Sequence, residues 1–332
     1  MKIKLPVLIK PSTREWVREA RQAKDYSFFD FLHGYIYGAF PYFYIKVGSG
    51  RHWLTRYIAP LATWLINRSA SRRNGAAQAV RPEEIPPGAL PGVTPGGMEF
   101  ANTYHGKVVP LEAAKQLVSV RQEIRLINLE KVIPYTRARD IILHNPDHII
   151  ALDCPCRAAR EHPCLPLDVC LIVGEPFASF TREHHPNQSR WIDADEAVAI
   201  LKAEDERGHV HHAFFKDAML GRFYAICNCC DCCCGAMKAH QNGTPMLTSS
   251  GYRAEVDLEH CKGCAVCVDF CQFHAISVSG SGRDKRASID PEKCMGCGVC
   301  IQHCARHALA LQRDASLGEP LEILKLMEMS ER

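Results

Sequence analysis

Residues 261–304 write one metal-binding phrase twice: Cys261-x2-Cys264-x2-Cys267-x3-Cys271, then Cys294-x2-Cys297-x2-Cys300-x3-Cys304. This is the spacing by which a short chain wraps thiolates around an iron–sulfur cube. Each Cys-x2-Cys step turns the backbone so that thiolates and intervening N–H groups face one cluster. The duplication extends past the cysteines. Superposing 256–278 on 289–311 matches Asp257/Asp290, Glu259/Glu292, Gly263/Gly296, Val266/Val299, His274/His307 and Ala275/Ala308. One strand-and-helix half is therefore repeated. Val256 and Ile289 are expected to begin short strands, with Ile276–Val278 and Leu309–Leu311 returning.

This region, about 252–312, resembles a bacterial-type 2[4Fe-4S] ferredoxin domain, here set in a larger multi-cluster iron–sulfur protein. The resemblance implies one [4Fe-4S] cluster on Cys261, Cys264, Cys267 and Cys304, and a second on Cys294, Cys297, Cys300 and Cys271. One departure stands out: the family has proline after the fourth cysteine, whereas this chain has Gln272 and Ala305. Paired Cys-x2-Cys also suits tetrahedral zinc, but 2-2-3 spacing written twice favours cubes.

With 332 residues, two or three domains are expected. A net charge of +3 gives no case for a nucleic-acid partner. Eighteen cysteines in a secreted domain would imply disulfides. Met1–Lys10, however, is short, lysine-punctuated and interrupted by Pro6, unlike a secretory signal. The cysteines then read as metal ligands in a reducing, anaerobic cytoplasm.

The expected class is α+β, in five parts. Residues 1–66 form an aromatic helical arm, in which Phe28, Phe29, Phe31, Tyr35, Tyr37, Phe40 and Tyr42–Tyr44 crowd one stretch. Trp53, Tyr57, Leu61, Trp64 and Leu65 follow at helical spacing. With Lys46, Arg51, Arg56 and Arg68 nearby, 28–66 suits membrane-surface contact, or packing on this chain or a partner subunit. Residues 67–100 read as a Pro/Gly-rich linker. Residues 101–250 read as a cysteine-rich α/β domain: a helix near Leu111–Val120, strands at Ile124–Val132, His148–Asp153 and Val169–Val173, and a helix opened by Asp193-x-x-Glu196 and closed by Gly208. The ferredoxin-like part, 251–312, precedes a C-terminal helix at 313–332 with Leu321, Leu324 and Met327 on one face.

Ten cysteines lie outside the repeat: Cys154, Cys156, Cys164 and Cys170, then Cys227, Cys229, Cys230, Cys232, Cys233 and Cys234. So many adjacent thiols have no ordinary packing role and would be prone to oxidation. In extended chain, Cys227 and Cys229 share a face while Cys230 and Cys232 take another; in a helix, Cys229/Cys233 and Cys230/Cys234 become neighbours. Either arrangement splits neighbouring thiols between clusters, or between ligands and residues that surround a cluster without ligating it. One or two further iron–sulfur clusters are expected, or one cluster plus reactive thiols. Cys233-Cys234-Gly235 is similar to the Cys-Cys-Gly motif of heterodisulfide-reductase-type subunits, but the lone upstream cysteine and later Cys-x2-Cys of that family are not placed to match.

His209 and His211 at period two suit metal ligation or proton donation, or polar hydrogen bonding. Arg157 suits a bond to a cluster or anionic substrate, or a salt bridge to Asp153. No Gly-rich nucleotide loop or flavin fingerprint is present, and no nucleophile or acid–base pair stands out. The pattern predicts an electron-transfer protein or redox-complex subunit serving a redox partner protein. The alternative is an oxidoreductase whose upstream thiols reduce a small substrate such as a disulfide.

Overall fold

The computed structural model describes residues 10–23, 26–57, 85–86, 89–90, 92–137 and 139–330. Leu61, Trp64 and Leu65 of the expected arm, and most of the expected linker with Arg68, lie outside the described residues.

Eight strands build a central sheet: β1 (Tyr104–Val109), β2 (Ile124–Leu126), β3 (Ile141–Asp153), β4 (Asp168–Glu175), β5 (Ser189–Ile192), β6 (Val210–Lys216), β7 (Arg222–Cys229) and β8 (Leu247–Thr248). Their order is β2-β3-β4-β7-β6-β1-β8, with β5 also on β3. The pairings β3–β4, β4–β7, β6–β7 and β1–β6 are antiparallel, and among the described residues only the short β1–β8 strand pair is parallel. The central domain is therefore α+β, which corrects the α/β expectation. Helices do alternate with strands, but they return the chain to antiparallel neighbours and not across parallel ones.

The sheet is buried on both faces, so its strands read as near-continuous apolar runs. Ile149, Ala151, Leu171, Val173, Ala213 and Phe215 point into one core. The intervening Ile150, Ile172 and Phe214 point into the other. This is the period of two expected of a pleated strand. The expected strand at Ile124–Val132 ends at Leu126, whereas the one at His148–Asp153 begins earlier, at Ile141.

Three N-terminal helices, α1 (Pro11–Ala20), α2 (Phe28–Ala39) and α3 (Pro41–Gly48), cover the second core. Pro11 and Pro41 occupy first-turn positions where a missing N–H costs nothing. Ser27 and Asp30 close a reciprocal capping box on α2. Trp16 is fully buried, edge-on to Phe31, Phe177 and Phe180. The arm thus packs on its own chain, while Phe28, Phe29, Phe40, Trp53 and Tyr57 remain exposed. No described helix is long and apolar enough to cross a membrane.

Helix α4 (Pro95–Thr103) runs through the expected end of the linker and buries Met98 and Ala101. Helices α5 (Leu111–Ser119) and α8 (Ala194–Glu206) cover the first core, α6 (Pro155–Ala158) follows β3, and α7 (Phe177–His184) follows β4. The Asp193 carboxylate accepts the Glu196 N–H at the start of α8.

After α9 (Gly235–Gln241), the duplicated region forms two small antiparallel pairs. Strand β9 (Tyr252–Val256) pairs with β12 (Leu309–Arg313), and β10 (Ile276–Ser279) with β11 (Arg286–Ile289). Val256 and Ile289 end their strands and do not begin them. Each half lends a strand to the other, and matching bonds run from Asp257 N–H to the Ala308 carbonyl and from Asp290 N–H to the Ala275 carbonyl. Short helices α10 (Val266–Asp269) and α11 (Val299–Gln302) carry the third and approach the fourth cysteine of each half, and α12 (Ile323–Ser330) returns Ile323 to the central core.

Candidate metal and redox centres

The repeat gathers its thiols into two crossed quartets. Cys267 feels the charges of Cys264, Cys261 and Cys304, and Cys300 those of Cys271 and Cys294 and, after them, of Cys267 in the other set. Cys297 is surrounded by Cys300, Cys271 and Cys294. A small cavity is enclosed by Cys261, Cys264, Cys267 and Cys304. The fourth cysteine of each half therefore joins the other half's set, and the residues fit two [4Fe-4S] clusters. The turns between ligands need left-handed backbone: Gly263 has φ +62°, Gly296 +65° and Gly298 +87°, with Ala265 at +66°. Backbone N–H groups of Ala275, Ala308 and Ala287 donate to Cys271, Cys304 and Cys261 at 3.2, 3.3 and 3.4 Å. Such bonds disperse thiolate charge and tune potential. Burial first, then the neighbouring thiols, raises Cys300 to about 12, so the thiol keeps its proton until a bound metal cation displaces it.

The ten upstream thiols divide into two sets. The first is a ring in which Cys170 contacts Cys227 at 3.9 Å and also Cys154. Cys154 touches Cys156, Cys156 touches Cys234, and Cys234 touches Cys229. Cys229 returns to within electrostatic reach of Cys227, two residues away on β7. These side chains come from the β3–α6 turn, β4, β7 and the start of α9. Contact with Cys156, then burial, pushes Cys154 up to about 12, against an opposing contact from Cys170. The ring lines a cavity of about 670 Å³. Tyr37, Tyr104 and Tyr224 line the same cavity, their hydroxyls 2.8–3.4 Å apart. Six thiols exceed the four a cube uses, so the donor set fits one cube with spare ligands or a larger iron–sulfur centre.

The second set is Cys164, Cys230, Cys232 and Cys233, whose sulfurs all lie within 4.8 Å of one another. The dense 227–234 run is thus divided: Cys227, Cys229 and Cys234 serve the ring, while Cys230, Cys232 and Cys233 turn away. The extended end of β7 separates 227 and 229 from 230, as period two requires. Burial alone raises the Cys233 thiol, but the Cys164 N–H and neighbouring thiols outweigh it and hold Cys233 below its usual range.

Arg157 does not pair with Asp153. It is 1% exposed and donates to Glu204, to the Pro166 carbonyl at 2.6 Å and to the Asn228 carbonyl at 3.2 Å. Its positive charge still acts on Cys154 and Cys170. His209 Nδ1 lies 2.7 Å from Glu204, and His211 Nδ1 is 2.6 Å from Asn228 Oδ1. These histidines are buried hydrogen-bonded residues behind the ring.

Sequence reasoning missed Lys216, which has no motif around it. It is 2% exposed, with Nζ 4.1 Å from the Tyr104 ring centre and 4.7 Å from that of Tyr37, so only cation–π contacts and burial mark it. It missed the Gln272 role as well. The residue standing where the family has proline accepts the Asp231 N–H at 2.9 Å, and His274 meets the Asp231 carboxylate at 2.9 Å. The loop of the second thiol set is thereby tied to the segment that follows Cys271.

Comparison with known families matches residues 260–308 to the 4Fe-4S dicluster domain. A search of curated proteins finds no match to the chain. The C-terminal segment therefore carries a 4Fe-4S dicluster domain, within a chain whose other cysteines lie outside that match.

Proposed function

We propose that this chain is an electron-transfer protein or redox-complex subunit that relays single electrons between its C-terminal dicluster domain and an iron–sulfur centre on the six-thiol ring. One observation supports this above the rest: Met295, Val299 and Cys297 of the second quartet pack in the same apolar cluster as Cys229 and Cys234 of the ring. When bound, iron–sulfur clusters supply reversible one-electron chemistry. The chain's own part is to keep that path dry. Met295 is 1% exposed, and Phe273 packs against the same apolar cluster. The first quartet presents the exposed Cys264, where a redox partner protein can approach. The exposed aromatics Phe28, Phe29, Trp53 and Tyr57, with Lys46 and Arg56 close by in sequence, support docking to a partner subunit or a membrane surface; flotation with anionic vesicles separates the two.

The test is iron and sulfide content after anaerobic purification, with redox titration followed by electron paramagnetic resonance. The dicluster domain alone accounts for about eight irons. A Cys154→Ser/Cys170→Ser/Cys229→Ser triple variant, which leaves fewer ring thiols than a cube uses, is expected to lose at least about four more while keeping the dicluster signals. Identical iron and spectra in variant and wild type would sink the relay.

The cavity favours a second reading, an oxidoreductase that reduces a small substrate such as a disulfide beside the ring. Three tyrosine hydroxyls and an apolar wall suit a small, largely apolar molecule. Failure of a small disulfide to reoxidise the reduced chain would remove it.

A further inference from the structure

The second thiol set is gathered in a way that neither the ring nor the dicluster quartets share. Cys164 Sγ lies 3.2 Å from Cys232 and 3.7 Å from both Cys230 and Cys233. Cys232 lies 3.2 Å from Cys230 and 3.6 Å from Cys233. Four sulfurs around a single ion at about 2.3 Å form a tetrahedron with edges of about 3.8 Å. The spacings at 3.6 and 3.7 Å lie within about 0.2 Å of that figure, and the two at 3.2 Å, both to Cys232, are about 0.6 Å shorter. A cube attaches each thiolate to a separate iron at a separate corner, which holds the sulfurs further apart. The dicluster quartets act as an internal reference: among the described residues, neither is drawn within the 4.8 Å that encloses this set.

We infer that Cys164, Cys230, Cys232 and Cys233 bind one tetrahedrally coordinated metal ion, zinc or iron, and not a cube. Cys230-x2-Cys233 supplies the tight half-site that structural thiolate sites use, and Cys164 reaches it from the loop after α6. The surroundings brace that loop. Cys234 N–H donates to the Cys230 carbonyl at 3.0 Å, and Arg160 Nη2 to the Cys233 carbonyl at 2.9 Å. Asp231, inside the loop, holds Gln272 and His274 of the dicluster domain. The ion would staple two loops of the central domain at the point where that domain grips the dicluster domain. This inference stands whether or not the six-thiol ring carries a relay centre.

Zinc, iron and acid-labile sulfide are to be counted on the full-length chain, purified anaerobically, in wild type and Cys232→Ser. The expected wild type holds one metal equivalent beyond the iron matched by sulfide: one zinc, or one iron in excess. Cys232→Ser is expected to lower its occupancy at least about fivefold with sulfide unchanged, because one thiolate of four is gone. A second measurement needs no variant. Zinc K-edge absorption, or Mössbauer spectroscopy if the excess metal is iron, is expected to show a four-sulfur ion with no metal neighbour. Loss of about four irons together with four sulfides in the variant would mean a cube and overturn the inference. So would an unchanged metal count.

Discussion

The dicluster domain and the central domain solve the same problem, bringing thiols together, by opposite routes. In the dicluster domain three of every four ligands lie within seven consecutive residues, Cys261–Cys267 or Cys294–Cys300, and one strand exchange supplies the fourth. In the central domain, Cys154, Cys170 and Cys227 come from strands separated along the chain and meet because β3, β4 and β7 are neighbours in the sheet. Local turns decide the first site; sheet pairing decides the second. The first should therefore be sensitive to backbone conformation within the repeat, and the second to the charges buried behind the sheet.

The largest expected effect tests the local side. A Cβ at Gly296 would fall 2.0 Å from the Tyr252 carbonyl oxygen on left-handed backbone, while one at Gly298 would meet nothing closer than 3.4 Å. Gly296→Ala should cost about 3 kcal/mol or more and lower iron occupancy of the second quartet. Gly298→Ala should cost about 1 kcal/mol, since its counterpart Ala265 already adopts that conformation. Denaturant melts with iron counts compare them, and equal losses would remove local conformation as the cause.

Next comes the charge behind the sheet. Glu204 is fully buried against Arg157 and His209, and burial that would raise its carboxyl is outweighed by those two partners. Glu204→Gln leaves Arg157 buried without its counter-ion and should cost about 3 kcal/mol by urea unfolding. Because the folded pKa of Glu204 is lowered, its contribution is present at neutral pH and lost as pH falls through the carboxylate range. The dicluster signals should survive the substitution; their loss would mean that the two regions are not separable.

The smallest effect, counted per pH unit, concerns two buried lysines. Burial drives Lys216 down to about 7, and burial with a repulsive Arg313 does the same to Lys107. Between pH 7 and 10 the unfolded chain then binds more protons than the folded one, so stability should rise with pH, by at most about 1.4 kcal/mol per pH unit per lysine. Thermal melts should show a shallower rise in Lys216→Met. An identical slope would place Lys216 outside this titration.

The sequence alone determined the dicluster domain, because its ligand spacing is a local property: two-residue gaps with left-handed glycines between them close a turn whatever surrounds it. It also limited the 227–234 run to divided use, since neighbouring thiols on a strand cannot face one site. The helix at Leu111–Ser119 and the Asp193 cap were legible for the same local reason. The tertiary structure decided the rest. Which thiols join which set depends on strand order: β3, β4 and β7 meet antiparallel, and no periodicity in one strand names its neighbour. The Arg157 partner was hidden likewise, since Asp153 is near in sequence while Glu204 is brought in by α8 packing on the sheet. Lys216 and Gln272 carried no motif, because their roles come from what folding places opposite them: three tyrosine rings and the Asp231 loop.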